Sequence, residues 1–340
     1  MSNNKQYLSL VEYSQFSTFL EALEMTHWDI YAMLDKALFP KSFNLHEGDG
    51  VILTERVYSV FNLLEDQLTE AKLVQFLSVV AQKNAEKILQ ALPLDDISNV
   101  EGVVTCFINE TFRSAPDSQF SLLDTLGNKW LVRHTLPHNE NLSIIECYLL
   151  KLFQELISAT TQVVWQPKRI FLQSPHNQEK THKRCKTLFN NNGLQLISER
   201  GVTGIELPED TLKTNINFYH PRYAFTQTEA DLGKNMRTIS AALRYVLPHY
   251  LSGGRPSLDF SAEICGLHSR TLKRRLRKEG VTYTALLDEI IISLAKDALL
   301  HSDQNITDIS ISLGYDHPNH FSRMFKRLTG LSPRHYRNSH

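Results

Sequence analysis

With 340 residues the chain is long enough for two domains, because single hydrophobic cores seldom grow beyond about 250 residues. Its 42% hydrophobic and 21% charged residues exclude a disordered or fibrous chain, and no run reaches the ~18 uninterrupted apolar residues of a membrane helix. The formal net charge of −1 conceals an asymmetry, because residues 236–340 contain 15 Lys and Arg against 9 Asp and Glu, whereas residues 1–235 contain 21 against 28.

The predicted elements in the first two thirds of the chain mix helices with short strands. Apolar residues at helical spacing predict several amphipathic helices between residues 26 and 90, and a long helix over residues 141–160. A further helix over residues 178–190 ends at the turn signal from Asn190 to Gly193. Extended segments are predicted at residues 129–134, 169–173, 194–198 and 204–207. We therefore expect an α+β domain with several helices and a small sheet.

The domain boundary follows from a polar, irregular stretch after these elements. Residues 208–234 lack a clear period, and we place the linker at residues 216–237. The first domain then covers residues 1–215 and the second covers residues 238–340. The second domain contains the basic excess, which is the asymmetry expected when one domain meets phosphate groups and the other does not.

Residues 258–280 predict two short helices joined by a tight turn. Gly266 supplies the turn at low steric cost, and Leu272 and Leu276 lie four residues apart on the inward face of the second helix. The opposite face presents four cations, Arg270, Lys273, Arg274 and Arg277. Cations on one exposed stripe repel one another unless an anion lies against them. The pattern is typical of a helix-turn-helix unit whose second helix faces DNA.

The same arrangement recurs in residues 306–330. Gly314 supplies the turn, and Pro318 suits the first turn of the following helix, because its missing N–H costs nothing there. The inward stripe of that helix is predicted to contain Phe321, Met324, Phe325 and Leu328. Its outward face presents Asn319, Ser322, Arg323 and Lys326. The sequence therefore predicts two helix-turn-helix units.

A single helix is predicted between the two units, over residues 284–301. At about 1.5 Å per residue, such a helix spans about 27 Å. This length could bring two recognition helices near the ~34 Å repeat of the major groove on one face of B-DNA. We therefore expect an all-α second domain, with two helix-turn-helix units joined by a long helix and directed at adjacent major grooves.

The candidate DNA-binding residues lie at the starts and on the outward faces of the two recognition helices. They are Ser269, Arg270, Lys273, Arg274, Arg277, Pro318, Asn319, Ser322, Arg323 and Lys326. Arg274 and Arg323 are the candidates for base contacts, because a guanidinium can bond guanine O6 and N7 together. Lys273, Arg277 and Lys326 are expected to contact phosphate. The alternative is a solvated basic face, and the recurrence of the pattern in two units favours DNA.

The sequence contains no motif that predicts a catalytic residue, a metal site or a bound cofactor. His317 with His320, and His182 with Cys185, each place two metal-binding side chains three residues apart, but neither pair has partners at zinc spacing. The run Gly253-Gly-Arg-Pro lacks the Gly-Lys-Ser/Thr ending of a phosphate loop. No HExxH or GxSxG motif occurs in the sequence. We therefore predict that the protein is not an enzyme.

The cysteines and the N-terminus indicate the compartment. The four cysteines form no CxxC pair, so the sequence predicts neither a disulfide framework nor a zinc ribbon and favours a reducing environment. Residues 1–13 contain no apolar core of signal-peptide length. We therefore expect a cytoplasmic protein that does not associate with a membrane.

Residues 238–338 resemble the DNA-binding domain of the AraC/XylS family. The resemblance is carried by Leu313-Gly-Tyr and by the run HFSRMFKRLTGLSPRHYR that begins at His320. Two positions depart from the family pattern, since Ser310 replaces an alanine and His268 replaces the serine that caps the first recognition helix. The resemblance implies a bacterial transcription regulator, an activator or a repressor, that binds double-stranded promoter DNA and acts on RNA polymerase.

Residues 140–212 resemble the arabinose-binding-type effector domain of one subgroup of that family, which includes regulators of ornithine use. The run WQPKRIFLQSP, which begins at Trp165, carries most of this resemblance. It implies that the first domain binds a small-molecule effector and contributes to a homodimer. The sequence identifies neither the effector nor the residues that would contact it.

Two other functions remain open at this point. In the first, residues 1–235 form an enzyme that the DNA-binding part controls, although the sequence lacks a convergent catalytic motif. In the second, the protein is purely architectural, and its first domain only forms oligomers. Binding of a metabolite to the first domain would separate a ligand-responsive regulator from an architectural protein.

Overall fold

The computed structural model describes residues 8, 10–24, 30–40, 51–94, 96–114, 119–125, 127–134, 142–175, 179–216 and 238–339. The predicted linker lies outside these residues, apart from Ile216. The chain divides into two compact units. One, here called the C-terminal unit, contains residues from Met1–Tyr13, Tyr31–Val57 and Lys234–His340, and the other, here called the sheet unit, contains residues from Ser14–Ile30 and Tyr58–Gly233.

The elements before residue 217 combine helices with short strands, as the sequence predicted. In chain order they are β1 (Leu10–Glu12), α1 (Tyr13–Glu24), α2 (Ile30–Lys36), β2 (Val51–Leu53), α3 (Thr54–Gln67), α4 (Glu70–Ala91), α5 (Val100–Ser114), β3 (Phe120–Thr125), β4 (Asn128–Arg133), α6 (Leu142–Thr161), β5 (Arg169–Phe171), α7 (Glu179–Phe189), β6 (Gln195–Ile197), β7 (Thr203–Leu207) and α8 (Glu209–Leu212). The strands β4 to β7 and the helices α6 and α7 fall on the segments predicted from hydrophobic periodicity.

A five-stranded sheet in the order β3-β4-β7-β5-β6 organises the sheet unit. Its pairs are antiparallel except for β5 with β6. The central strand β7 is buried along its whole length, whereas the edge strand β3 is half-buried. The rings of Trp130 and Phe171 stack with centroids 3.6 Å apart, and the long helices α4 and α6 pack against each other. Aromatic and branched side chains therefore account for the core of this unit.

One buried carboxylate ties α6 to the ends of two strands. Glu146 is fully buried and accepts hydrogen bonds from the backbone N–H of Gln173 at 2.6 Å and of Ser174 at 3.2 Å. The hydroxyl groups of Thr203, at 2.7 Å, and of Ser174 also donate to it. Burial raises the pKa of Glu146, although these four donors oppose the shift.

The last hundred residues are helical. In chain order the elements are α9 (Ile239–Val246), a 3₁₀ helix (Leu247–Gly253), α10 (Leu258–Ile264), α11 (Ser269–Lys278), α12 (Tyr283–His301), α13 (Ile306–Ser312), α14 (Pro318–Thr329) and α15 (Pro333–Ser339). Helices α10 and α11 occupy the first predicted helix-turn-helix segment, and α13 and α14 occupy the second. The predicted connector is α12. We call α10 with α11 the first helix pair, and α13 with α14 the second helix pair.

One hydrophobic core joins the two helix pairs. It contains Leu272 and Leu276 of α11, Ile291 of α12, and Phe321 and Phe325 of α14, all fully buried. One predicted core residue was wrong, because Leu328 is 48% exposed. Leu328 lies in the last turn of α14. There the ring of Tyr336 packs on the ring of Phe325, with centroids 5.4 Å apart, and completes the core without Leu328.

The C-terminal unit also contains residues from far upstream. Leu53 of β2 is buried in the same core as Ile239 and Leu243 of α9. The hydroxyl of Tyr250 donates a 2.8 Å hydrogen bond to the carbonyl of Leu38. Packing thus divides the chain differently from the predicted contiguous ranges, and the assignment of functions to residues 1–215 and 238–340 stays a prediction.

Candidate nucleic-acid interface

The outward face of α11 carries the four predicted cations. Arg270, Lys273, Arg274 and Arg277 are all exposed, whereas Leu272 and Leu276 are fully buried on the opposite side. None of the four forms an ion pair with another residue that the structure describes. Unpaired cations on one helix face repel one another and favour an anionic ligand.

Burial and a neighbouring positive charge both act on one arginine of α11. Burial lowers the pKa of Arg275, which lies on the flank of the helix, and the positive charge of Arg274 lowers it further. Both effects disfavour a second cation beside Arg274. A phosphate group near this face would therefore relieve repulsion as well as form new contacts.

Ser269 differs from the other predicted contacts of the first pair. Its hydroxyl donates a hydrogen bond to the carboxylate of Asp259 in α10 and is half-buried. The bond joins the start of α11 to the first turn of α10. The preceding residue, His268, occupies the N-cap position but its side chain forms no capping bond. A DNA contact by Ser269 therefore competes with this internal bond and stays a prediction.

The outward face of α14 presents a shorter set of polar groups. Asn319, Arg323 and Lys326 are exposed, and Pro318 and Ser322 are half-buried. The Nε group of Arg323 donates a 3.4 Å hydrogen bond to the carbonyl of Asn319. The structure thus brings all five predicted residues of the second pair onto the start and outer side of one helix.

Both candidate recognition helices start without a side-chain cap. The side chains of His268 and His317 form no capping bond at α11 and α14, whereas Ser257, Thr282 and Asn305 cap α10, α12 and α13. Uncapped N–H groups at a helix start favour anions. Basic residues occupy the last turns of α11 and α14, where their positive charges interact favourably with the negative end of the helix dipole.

Sequence analysis missed an ionic cluster beside the second pair. The carboxylate of Asp288 in α12 accepts hydrogen bonds from Arg255 at 2.9 Å and from Arg327 of α14 at 3.1 Å. Arg255 also donates a 2.6 Å bond to the hydroxyl of Tyr315. A single signal pointed to this cluster, namely an aspartate within the apolar run LLDEIII of the connector.

An open groove lies between the residues before α10 and the start of α14. Its volume is about 700 Å³, and its lining includes Arg255, Asp316, His320, Arg323 and Arg327. Two of the lining arginines, Arg255 and Arg327, are bonded to the carboxylate of Asp288. The groove adjoins the basic face of α14 through the third, Arg323.

The two pairs of side chains that sequence analysis considered as metal ligands form other contacts in the structure. The rings of His317 and His320 meet edge to face with centroids 5.5 Å apart, and His182 shares a 2.8 Å hydrogen bond with Ser198. Within the described ranges, no group of three or more His, Cys, Asp or Glu side chains is placed to hold a metal ion. Nor does any described helix have the length and apolarity needed to cross a bilayer.

Part of the C-terminal unit is similar in sequence to a known family of domains. Residues 261–339 match the family described as a helix-turn-helix domain. Over 85 residues the chain is 38% identical to the uncharacterized HTH-type transcriptional regulator Rv1395 of Mycobacterium tuberculosis, a match that covers 25% of each protein. Over 77 residues it is 39% identical to the HTH-type transcriptional activator RhaS of Escherichia coli, covering 22% of this chain and 28% of that protein.

Among solved structures, the chain is similar to the C-terminal domain of AraT, a response regulator from Geobacillus stearothermophilus. Their identity is 27%, the TM-score is 0.28, and the match covers 30% of this chain and 84% of that one. The chain spans only 25% and 28% of the two curated relatives described above.

The family match identifies a helix-turn-helix domain at residues 261–339, within the second domain that the sequence predicted. The relatives are named as transcriptional regulators, which is a role without catalysis. This agrees with the prediction that the chain is not an enzyme. The family match does not extend over residues 140–212, where the resemblance to an effector domain stays a prediction.

Proposed function

We propose that the protein is a sequence-specific transcription regulator of the AraC/XylS family that inserts α11 and α14 into adjacent major grooves of promoter DNA. One observation carries this proposal. Two helices that share one hydrophobic core each follow a glycine turn, and each presents on its exposed side cations that form no ion pair with a described residue. A single basic face has many uses, whereas two basic helix faces on a common scaffold support the proposal that the protein reads two grooves.

Binding is driven by phosphate contacts and made selective by base contacts. Lys273 and Arg277 of α11 and Lys326 of α14 are the phosphate-binding cations in this proposal. Each contact releases condensed counterions, so three contacts predict that the logarithm of the binding constant falls as the logarithm of the salt concentration rises, with a slope of about −3. Arg274 and Arg323 read guanine edges with a bidentate guanidinium.

The remaining candidates complete the two faces. Arg270 lies one turn before Arg274 and contacts the DNA backbone, and Ser269 reaches a phosphate if its bond to Asp259 breaks. Asn319 suits an adenine edge. Pro318 and Ser322 lie close to the start of α14 and contact sugar or phosphate groups.

The sheet unit is the proposed effector-binding and dimerisation part. Support comes from the mixed α and β structure of this unit and from its resemblance to an effector domain. A regulator named as an activator among the relatives favours activation through contact with RNA polymerase. An effector that changes the affinity for DNA must bind the two functional states with different free energies.

A purely architectural role is the second candidate, and the basic faces fit it equally well. The two differ in selectivity, since an architectural protein reads DNA shape with weak base preference. They differ also in response to small molecules, because an effector stabilises the state that binds it.

The test begins with selection of bound duplexes from a random pool by the full-length protein. We expect enrichment of one sequence with two conserved tracts, and a steep fall in affinity for it as salt rises. Lys326→Ala should lower the salt slope by about one, while Lys213→Ala, which removes an exposed cation of the sheet unit, should leave the slope unchanged. Recovery of no enriched sequence would contradict the proposal.

A further inference from the structure

The turn of the second helix pair lies directly against the backbone that leads into the first. Gly314 has φ +81°, and a Cβ atom at this position would lie 2.7 Å from the carbonyl carbon of Gly254, 2.8 Å from the amide nitrogen of Arg255 and 2.9 Å from the carbonyl oxygen of Leu251. Backbone contacts this close leave no room for a side chain. The loop before α10 and the turn before α14 therefore pack as one piece.

A buried carboxylate is hydrogen-bonded to one of the residues at this contact, Arg255. The side chain of Asp288 is 12% exposed and sits in the connector α12. It accepts a hydrogen bond on Oδ1 from Arg255, in the loop before α10, and another on Oδ2 from Arg327 of α14. One carboxylate thus bridges three parts of the fold, namely the connector, the approach to the first pair and the recognition helix of the second.

Tyr315 closes the cluster from the turn of the second pair. Its hydroxyl accepts a 2.6 Å bond from Arg255, and the guanidinium of Arg255 lies over its ring, 5.2 Å from the centroid. Arg255 therefore holds the turn after Gly314 and the connector at the same time. Burial raises the pKa of the Tyr315 hydroxyl and keeps it neutral.

The charges of the cluster make Asp288 its central member. A buried carboxylate is costly unless it is paired and hydrogen-bonded, and here both oxygen atoms have a guanidinium partner. Removing the carboxylate charge leaves Arg255 and Arg327 without the group that draws them together. Removing one arginine leaves the other bond intact, so Asp288 is the residue on which the whole arrangement depends.

We propose that Asp288 is a positioning residue that fixes the second helix pair relative to the first, so that the protein accepts only one spacing between its two half-sites. This inference rests on the proposed function, because spacing has meaning only if both helices read DNA. The connector α12 and the shared hydrophobic core hold the two pairs together, but apolar contacts are not directional. The Asp288 cluster and the close approach at Gly314 add the directional contacts that fix the position of one pair relative to the other.

The consequence for DNA is specific. Insertion of one base pair between the half-sites moves the second groove by about 3.4 Å along the axis and rotates it by about 35°, since a helical turn contains 10–10.5 base pairs. A protein whose two helix pairs are held rigidly loses contacts with the DNA at one of the two half-sites. A protein whose second helix pair can move follows the groove and keeps most of its affinity for the DNA.

The experiment measures the binding of the selected duplex and of duplexes with one base pair added or removed between the half-sites. For the unaltered protein we expect at least tenfold weaker binding to both altered duplexes. Asp288→Asn should bring that ratio below threefold, and Asp288→Glu should restore it because its carboxylate reaches the same guanidinium groups. Asp297→Asn, which removes an exposed carboxylate from the same helix, should leave the ratio at its original value.

Each outcome decides the inference. An Asp288→Asn protein that discriminates spacing as the unaltered protein does overturns it, while the proposed function survives if a duplex was selected. If no duplex is selected, the proposed function itself fails. Should Asp288→Asn not fold, Tyr315→Phe, which removes one bond to Arg255 and keeps the ring, replaces it. A lower spacing ratio for that variant supports the inference, and an unchanged ratio overturns it.

Discussion

The guanidinium of Arg56 donates a 3.2 Å hydrogen bond to the backbone carbonyl of Glu263, 207 residues further along the chain. It also donates to the carbonyl of Ala37 at 3.3 Å. Glu263 lies in the last turn of α10, where helix carbonyl groups have no partner within the helix. Burial lowers the pKa of Arg56, and nearby Tyr250, Glu55 and Glu263 only partly offset this. An upstream residue therefore completes the first helix pair.

Arg56→Ala should destabilise the first helix pair by about 1–3 kcal/mol, because the buried carbonyl of Ala37 loses the guanidinium donor and the carbonyl of Glu263 keeps only its backbone donor from Gly266. The measurement is hydrogen exchange of peptides covering residues 258–280, which should become faster by about one order of magnitude or more. Lys72→Ala removes an exposed cation from the sheet unit and should not change exchange in that region. Equal protection in the Arg56 variant and the parent would refute this role.

Two glycines with almost the same backbone conformation should respond differently to alanine. Gly314 and Gly330 have φ +81° and +82°, but a Cβ atom meets backbone only at Gly314. Gly330→Ala should cost about 1–2 kcal/mol for the left-handed conformation. Gly314→Ala should cost a further 1–3 kcal/mol or so from overpacking. Urea unfolding followed by circular dichroism measures both, and equal losses would show that the close approach carries no energy.

The buried carboxylate of Glu146 predicts a pH dependence of the sheet unit. Its pKa is raised in the folded protein, so the folded state binds more protons than the unfolded state in the window just above the usual carboxyl pKa. The neutral carboxyl group of Glu146 contributes fully to the stability of the folded protein below the usual carboxyl pKa. This contribution is lost as pH rises through the raised pKa.

Glu146→Gln removes this titration. The free energy of unfolding of the parent minus that of the variant should therefore decrease as pH rises from about 4.5 towards neutrality. Tryptophan fluorescence during urea unfolding reports on the sheet unit, because Trp130 lies in its core. A difference that grows with pH would contradict the assigned direction.

Local patterns in the sequence predicted most of the candidate interface. Leu272 and Leu276 fixed which side of α11 faces inward, and the four cations followed from the helical period. The same period placed Phe321 and Phe325 in the core of α14. It failed for Leu328, since the packing around a last helical turn depends on a neighbouring element, α15, and not on the pattern itself.

Long-range pairs could not be predicted from these patterns. The bond from Arg56 to Glu263 joins residues in segments assigned to different domains, and the cluster of Asp288 joins three segments of the C-terminal unit. Hydrophobic periodicity carries no information on which charged side chains meet across a fold. The inclusion of Leu53 in the C-terminal core was missed for the same reason.

The proposed base-reading role of Arg274 and Arg323 leads to a further prediction. Alanine at either position should weaken binding to the selected duplex by about 1–3 kcal/mol and relax base preference within one half-site only. Arg244→Ala provides the control, because this cation of the same unit pairs with Glu289 away from both faces. Binding of either variant with the parent affinity and selectivity would exclude that residue as a base reader.

Hydroxyl-radical footprinting of the full-length protein on the selected duplex tests whether α11 and α14 occupy adjacent major grooves. We expect two protected tracts on one face of the duplex, with centres separated by about 10–10.5 base pairs. Arg274→Ala should weaken protection of one tract and Arg323→Ala of the other. A single short tract, or two tracts on opposite faces of the duplex, would show that the two helices do not bind adjacent grooves.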